Sequence, residues 1–197
     1  MTKIIFATGN QGKIREIKQI MADMDVEILS MKEAGIFMEI EENGTTFEEN
    51  ALIKARTIAK EAGVLVLADD SGLEIDYLDK APGVLSARYL GEDTSYDVKN
   101  THILGLLKDV KGKDRSARFV CSIAAVFPDG REFTTYATIE GEIAHKIEGE
   151  NGFGYDPIFF VPEFGKTTAQ LSSEEKNKIS HRGKALTMMK EILNKEL

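Results

Sequence analysis

Cysteine occurs once in the 197 residues, at Cys121, so no disulfide can form within the chain and a reducing compartment is expected. Cys121 lies in an apolar run from Val120 to Phe127, where a cysteine serves as a small core residue rather than a nucleophile. Histidine occurs three times, with no partner histidine or cysteine at metal-ligand spacing, which argues against zinc. Only four prolines are present and no tract is of low complexity, so the composition is that of an ordered globular protein. Positive charge is also short: 25 basic against 33 acidic residues leave a net charge of -8. That excludes a general nucleic-acid binder, whose affinity comes from clustered Lys and Arg. An anionic ligand must be gripped by local cations, which is permitted because charges beyond about 8 Å are largely screened. Long apolar runs are missing as well. The opening MTKIIFATGN has a four-residue apolar stretch, too short for a signal-peptide core, and nothing approaches a membrane span. A cytoplasmic protein with no membrane partner is expected.

What is present is periodic. Lys3 to Ala7 reads as a buried strand, Lys13 to Met24 as a helix with Ile14, Ile17, Ile20, Met21 and Met24 on one face, and Val26 to Leu29 as a second strand. From Thr46, apolar residues at Phe47, Ala51, Ala55, Ile58, Ala59 and Ala62 mark an amphipathic helix that Gly63 terminates. Val64 to Ala68 is apolar without alternation, the mark of a strand covered on both faces, and it ends at Asp69-Asp70-Ser71-Gly72. Ser95 to Val110 reads as a helix with Val98, Ile103, Leu106 and Leu107 as its apolar side. Arg118 to Phe127 and Glu132 to Ile143 read as strands joined through Pro128-Asp129-Gly130. A capping box at Ser172 and Glu175 opens a helical tail carrying Ala185, Leu186, Met189, Ile192 and Leu193. These elements predict one α/β domain over residues 1–197, with a mixed sheet flanked by helices.

Several segments carry candidate chemistry. TGNQGK, between a strand and a helix, suits an anion at a helix N-terminus, though a plain turn with a solvated Lys13 explains the glycines too. It matches neither the Walker A spacing nor the dinucleotide fingerprint. Glu42, Asp69 and Asp70 are carboxylates that a fold can bring together, and repelling carboxylates call for a cation. Mg²⁺ is the natural one, since it binds through one or two carboxylates, waters and substrate phosphates. DDSG is equally a plausible turn. Lys54, one helical turn after Asn50, is either a second cation or a solvated helix lysine. In NGFGYDPIFF, Phe159 and Phe160 suit a core, whereas Phe153 and Tyr155 suit either a core or a platform on which a base stacks. Lys176, His181 and Arg182 are hydrogen-bond donors near the turn before the last helix, suited to a base edge or phosphate, or simply solvated.

Taken together, TGNQGK, the Glu42 region, TFEENALIKA, ADDSGL, APGVLSARY, GFGYDPIF and SHRGKAL stand in the order and spacing of one family. The sequence resembles the inosine triphosphate pyrophosphatases, or non-standard purine nucleoside triphosphate pyrophosphatases, over nearly its whole length and without departure at the motif positions. The resemblance implies an elongated α/β fold of two lobes with a nucleotide cleft between them, a homodimer, and Mg²⁺-dependent hydrolysis of ITP, dITP and XTP to monophosphate and pyrophosphate. It assigns Thr8, Gly9, Asn10, Gln11, Gly12 and Lys13 to the triphosphate. Asp70 becomes the catalytic acceptor and a metal ligand, Glu42 the other metal ligand, and Asp69 and Lys54 catalytic helpers. Ser71, Phe153, Gly154, Tyr155, Asp156, Lys176, His181 and Arg182 would hold the substrate. Two competing expectations are a nucleotide-sensing module that binds without cleaving and a related pyrophosphatase for modified pyrimidine nucleotides. The acidic cluster argues against the sensor, because a pure binder gains little from carboxylates beside a polyanion.

Overall fold

The computed structural model describes residues 2–197. Its core is a mixed seven-stranded open sheet built from β1 (Thr2–Phe6), β2 (Val26–Ser30), β3 (Leu65–Ile75), β4 (Ser116–Val126), β5 (Glu132–Ile143), β6 (Phe159–Val161) and β7 (Lys166–Thr167), in the order β2-β1-β3-β4-β5-β6-β7. β1 is parallel to β2 and β3, while β6 is antiparallel to β5 and β7. The helices are α1 (Gln11–Ile20), α2 (Phe47–Ala62), α3 (Tyr96–Leu106), α4 (Ser173–Ile179) and α5 (His181–Glu196). The expected mixed α/β sheet with flanking helices is therefore present.

Two compact units divide the chain: the first comprises the chain up to Asp70 with Cys121–Ala137 and His181–Leu197, the second Ser71–Val120 with Thr138–Ser180. In the first unit the side-chain alternation of a strand sorts residues to two faces. Ile4 and Phe6 of β1 and Leu65 and Leu67 of β3 pack with Ile14, Ile17 and Met21 near α1 and with Ala185, Leu186, Met189 and Leu193 of α5. Ile5, Ala7, Val66 and Ala68 point the other way, onto Ala51, Ala55, Ile58 and Ala59 of α2. Both faces are covered, which is why Val64 to Ala68 shows no alternation of polarity. Cys121 is fully buried in the α1/α5 layer, as its apolar setting predicts. The second unit has its own core of Leu73, Ile75, Ile103, Leu107, Phe119, Ile139, Ile143 and Phe159.

Capping explains several element boundaries. Thr46 and Glu49 form a capping box at the start of α2, and Gly63 closes it in the left-handed conformation at φ 64°. The Ser172–Glu175 box opens α4 as expected. α1 begins at Gln11 rather than Lys13, because the Asn10 side chain accepts from the amides of Gly12 and Lys13 and so starts the helix earlier. α3 stops at Leu106 instead of reaching Val110. The guanidinium of Arg115 donates to the carbonyls of Leu107 and Val110 and satisfies them outside a helix. Ile103 on α3 and Leu107 just past its end are buried as expected, but Val98 and Leu106 face solvent. The tail is broken at Ser180, which is extended, so α4 and α5 are separate helices. The largest departure is β3, which does not end at Asp69-Asp70-Ser71-Gly72 but runs through it to Ile75.

Candidate functional site

The carboxyl end of β1 lies beside the first residues of β3. Their register pairs Phe6 with Leu67, and the Ala7 amide donates to the Leu67 carbonyl at 2.7 Å. Beyond this point the chain leaves the sheet for the loop 8–10, while β3 continues through Asp69 and Asp70. The strand alternation that sorts Leu67 and Ala68 to opposite faces sorts the two aspartates likewise. Asp69 meets the α1/α5 side and Asp70 the α2 side.

On its side, Asp69 is fully buried. Its Oδ2 lies 2.9 Å from the Lys13 ammonium and accepts from Arg182 Nε at 3.3 Å and Nη2 at 3.2 Å. The other arm of the Arg182 guanidinium, Nη1, donates to Glu16 Oε2. Burial by itself would raise the pKa of Asp69, but the charges of Lys13, Arg182 and Lys54 overcome it and hold the group below the ordinary carboxylate range. The same carboxylates hold Arg182 above the ordinary arginine value against its own desolvation.

Around Asp70 the balance is reversed. Asn50 Nδ2 donates to Asp70 Oδ2 at 3.1 Å, and the Lys54 ammonium stands 3.6 Å from Oδ1. Asn50 and Lys54 are four residues apart in α2 and so share a face. Lys54 also donates to Glu42 Oε2 at 2.8 Å. Glu42 and Asp70 therefore share one cation, the Lys54 ammonium, whereas Asp69, expected in the same acidic cluster, is turned by strand alternation to the opposite face. Desolvation raises the pKa of Asp70, assisted by the Glu42 charge and only partly offset by Lys54, Lys13 and Asn50. Lys54 is buried too, which disfavours its ammonium, yet Asp70, Asp69 and Glu42 outweigh that and keep its pKa above the usual lysine value. Adjacent carboxylates pushed in opposite directions are a common feature of sites where one group stays ionised and its neighbour handles a proton.

The segment bearing Glu42 reaches α2 because residue 44 is glycine. The Gly44 amide donates to Asn50 Oδ1 at 2.8 Å, and a Cβ there would stand 2.7 Å from both Asn50 Oδ1 and Glu49 Cβ. In the loop before α1, Thr8 Oγ1 accepts from the Asn10 amide, and Asn10 takes the amides of Gly12 and Lys13. Two first-turn amides are thus already capped, while the exposed Gly9 and Gln11 keep amides outside this cap.

The second unit gathers another set of the expected residues. Asp156 is buried and accepts through Oδ2 from the Lys176 ammonium at 2.7 Å and from the Phe153 amide at 2.8 Å. Its Oδ1 accepts from Thr168 Oγ1 at 2.7 Å. Lys176 stands 4.8 Å over the Phe153 ring. Gly152 permits this turn: its φ is +74°, and a Cβ would lie 2.2 Å from Asp156 Oδ2. Gly154, at φ +69°, accepts from Asn100 Nδ2 through its carbonyl. Tyr155 is buried with its hydroxyl donating to the Ser86 carbonyl at 2.7 Å, so its ring belongs to the core. Phe159 is a core residue as well, and Phe153 remains half-buried. Ser71 is half-buried in β3 of this unit, whereas His181 is buried at the start of α5 in the first unit.

Glu16, Asn50 and Gly44 escaped recognition as site residues in the sequence. Asn50 left one signal: an asparagine inside an otherwise good helix is disfavoured unless its amide is used. Glu16 left none, being an ordinary acidic residue on an amphipathic helix. Among the described residues no three His, Cys, Asp or Glu side chains converge as a metal cluster. The acidic oxygens instead meet around Lys54.

Known proteins match the chain over nearly its whole length. The model of the Ham1 family matches residues 4–192. A dITP/XTP pyrophosphatase of Clostridium perfringens is 48% identical, covering 98% of each chain. One from Caldanaerobacter subterraneus is 50% identical over 100% of this chain and 98% of its own. The solved structure of a HAM1 protein from Coxiella burnetii superposes with a TM-score of 0.89 at 42% identity, covering 99% of this chain and 100% of that one.

Proposed function

The chain belongs to the Ham1 family, and on that premise we propose that it is a pyrophosphatase hydrolysing dITP, XTP and ITP to the nucleoside monophosphate and pyrophosphate. The observation that carries this reading is the placement of consecutive aspartates on opposite faces of β3, each against its own lysine: Asp69 with the half-buried Lys13, Asp70 with the buried Lys54.

Hydrolysis of a phosphoanhydride needs an aligned water, relief of charge on the phosphates and a stabilised leaving group. Asp70, with its raised pKa, accepts the proton of the attacking water. Lys13 and Lys54 neutralise the phosphate oxygens, and the exposed Gly9 and Gln11 at the start of α1 offer backbone amides to the same anion. Asp69 stays ionised and holds Lys13. Glu42 and Asp70 fit Mg²⁺ by chemistry: both are carboxylates, both already converge on one cation, and Mg²⁺ takes one or two such ligands with waters and phosphates completing its shell. When bound, the ion supplies charge neutralisation and a template for the triphosphate.

For the base we assign Lys176, backed by Asp156 and lying over Phe153. Hypoxanthine and xanthine present a carbonyl at position 6 that accepts from an ammonium, whereas adenine presents an amino group there. A site built on such a polar pair rejects the mismatched base by roughly 10⁴-fold or more. Arg182, engaged with Asp69 and Glu16, is not needed for this role. A homodimer and a cytoplasmic location complete the proposal, the latter supported by the buried free thiol of Cys121.

The test is release of pyrophosphate from ITP, dITP, XTP, dATP, dTTP and UTP with and without Mg²⁺. Rapid release from the first three alone, dependent on Mg²⁺, is expected. Comparable rates for dATP and dITP would refute the base assignment, and inorganic phosphate as the product would move the cut to a terminal bond.

A further inference from the structure

The geometry points to Glu16 as a positioning residue: through Arg182 and Asp69 we infer that it sets where the Lys13 ammonium stands, and thereby how tightly the first unit grips a polyphosphate. The inference rests on the phosphate role proposed above for Lys13.

Four groups form an alternating chain of charge, Glu16, Arg182, Asp69 and Lys13, contributed in turn by α1, α5, β3 and α1. Asp69 is fully buried, Arg182 is 2% exposed and Glu16 9% exposed, so none of the three is placed like a residue that meets solvent ligands. Lys13 is the end that opens outward, with a side chain 15% accessible. A lysine has a flexible four-carbon stem and three donors, and unaided it samples many positions. Here one donor is anchored on Asp69 Oδ2 at 2.9 Å, which leaves the remaining donors directed from a fixed nitrogen.

The anchor is shared. Arg182 places two of its nitrogens on the same Asp69 oxygen, so two cations compete for one carboxylate. Glu16 resolves the competition by taking the opposite arm of the guanidinium, which balances Arg182 and leaves Asp69 available to Lys13. Without the Glu16 charge, the Arg182 guanidinium draws more strongly on Asp69, and the Lys13 ammonium is both repelled and released. Glu16 and Lys13 lie three residues apart on one helix, yet the control passes through α5 and β3.

This role has a sign opposite to that of simple electrostatics. Removing a negative charge near an anion site strengthens anion binding through the long-range field, whereas loss of the anchor weakens it. Inorganic tripolyphosphate binding measured by titration calorimetry decides between them. Glu16→Gln is expected to bind tripolyphosphate roughly tenfold more weakly and to raise KM for dITP by a similar factor, with kcat held within about threefold because the Asp70 side is untouched. In a Lys13→Met background the same replacement should change tripolyphosphate affinity by less than about twofold, since the group it positions is gone. Unchanged or tighter binding by Glu16→Gln, additive effects in the double variant, or failure of the unaltered protein to bind tripolyphosphate would each overturn the inference. If Glu16→Gln does not fold, Arg182→Lys replaces it: the charge is kept but the fork that spans both carboxylates is lost, and the same dependence on Lys13 is expected. Pyrophosphate release by the unaltered protein is scored separately, so failure of the enzymatic reading is distinguishable from failure of this one.

Discussion

Asp70→Asn keeps the size of the side chain, removes its charge, and separates the chemistry of the carboxylate from its cost to the fold. The introduced amide oxygen still accepts from Asn50 Nδ2, so the local hydrogen bond at 3.1 Å has a successor. A positioned general base contributes about 10²–10⁴-fold, so kcat should fall at least about 10²-fold, equivalent to about 3 kcal/mol at the transition state. Stability should move the other way. Desolvation and the Glu42 charge raise the pKa of Asp70 above its ordinary 3.8 despite Lys54, Lys13 and Asn50. As pH rises through 3.8 toward the folded value, the unfolded chain ionises first, so the native state loses stability over that interval and stays penalised above it. The variant never ionises at this position and escapes the penalty. Thermal denaturation at pH 7 in EDTA should therefore show a melting temperature equal to or above that of the unaltered protein. Added Mg²⁺ should raise the melting temperature of the unaltered protein through binding to the native state, and raise that of the variant much less. Turnover within about threefold of normal, or a melting temperature several degrees lower in EDTA, would refute the assignment of Asp70 as a strained, catalytic carboxylate.

Other outcomes are expected elsewhere in the chain. Gly152→Ala forces a Cβ to within 2.2 Å of the Asp156 oxygen that holds Lys176 and Phe153, at a backbone φ of +74°; KM for dITP should rise at least about tenfold and discrimination against dATP should shrink, and unaltered discrimination would remove Asp156 from the base site. Thr46→Ala deletes half of the capping box of α2 and should cost about 1 kcal/mol, or about 2–4 °C in melting temperature for a chain of this size; no shift would mean that tertiary packing alone holds the helix start. The Cys121 thiol is pushed up to about 12, chiefly by burial, so a disulfide reagent at pH 8 should leave the native protein unmodified and react promptly in urea. Fast reaction of the native protein would place Cys121 outside the core.

Much of the architecture was legible in the order of residues. Apolar periodicity located β1, β2, α2, β4 and β5, and the Gly63 and Ser172 signals marked helix ends, because capping is a local exchange of hydrogen bonds. The motif order also sufficed for the family, since TGNQGK, ADDSGL and SHRGKAL stand in register with it. Elements whose ends depend on distant partners were less legible. α3 ends where Arg115, eight residues beyond Leu107, takes its last carbonyls. Tyr155 could have been a base platform or a core ring, and its hydroxyl bond to Ser86, 69 residues earlier, makes it core.

Asp69-Asp70 marks the division most clearly. Composition and pattern established an acidic pair next to a buried strand and lysines able to neutralise it, because residue types and local spacing are properties of the chain alone. That the pair lies within the strand, and not in a turn after it, depends on β4 continuing beside β3 after β1 has ended. Strand alternation then sends one carboxylate toward Lys13, Arg182 and Glu16 and the other toward Asn50, Lys54 and Glu42. Their opposite pKa shifts arise from burial and charges contributed by segments up to 113 residues away. Electrostatic energy depends on distance in space, and only packing converts separation along the chain into that distance.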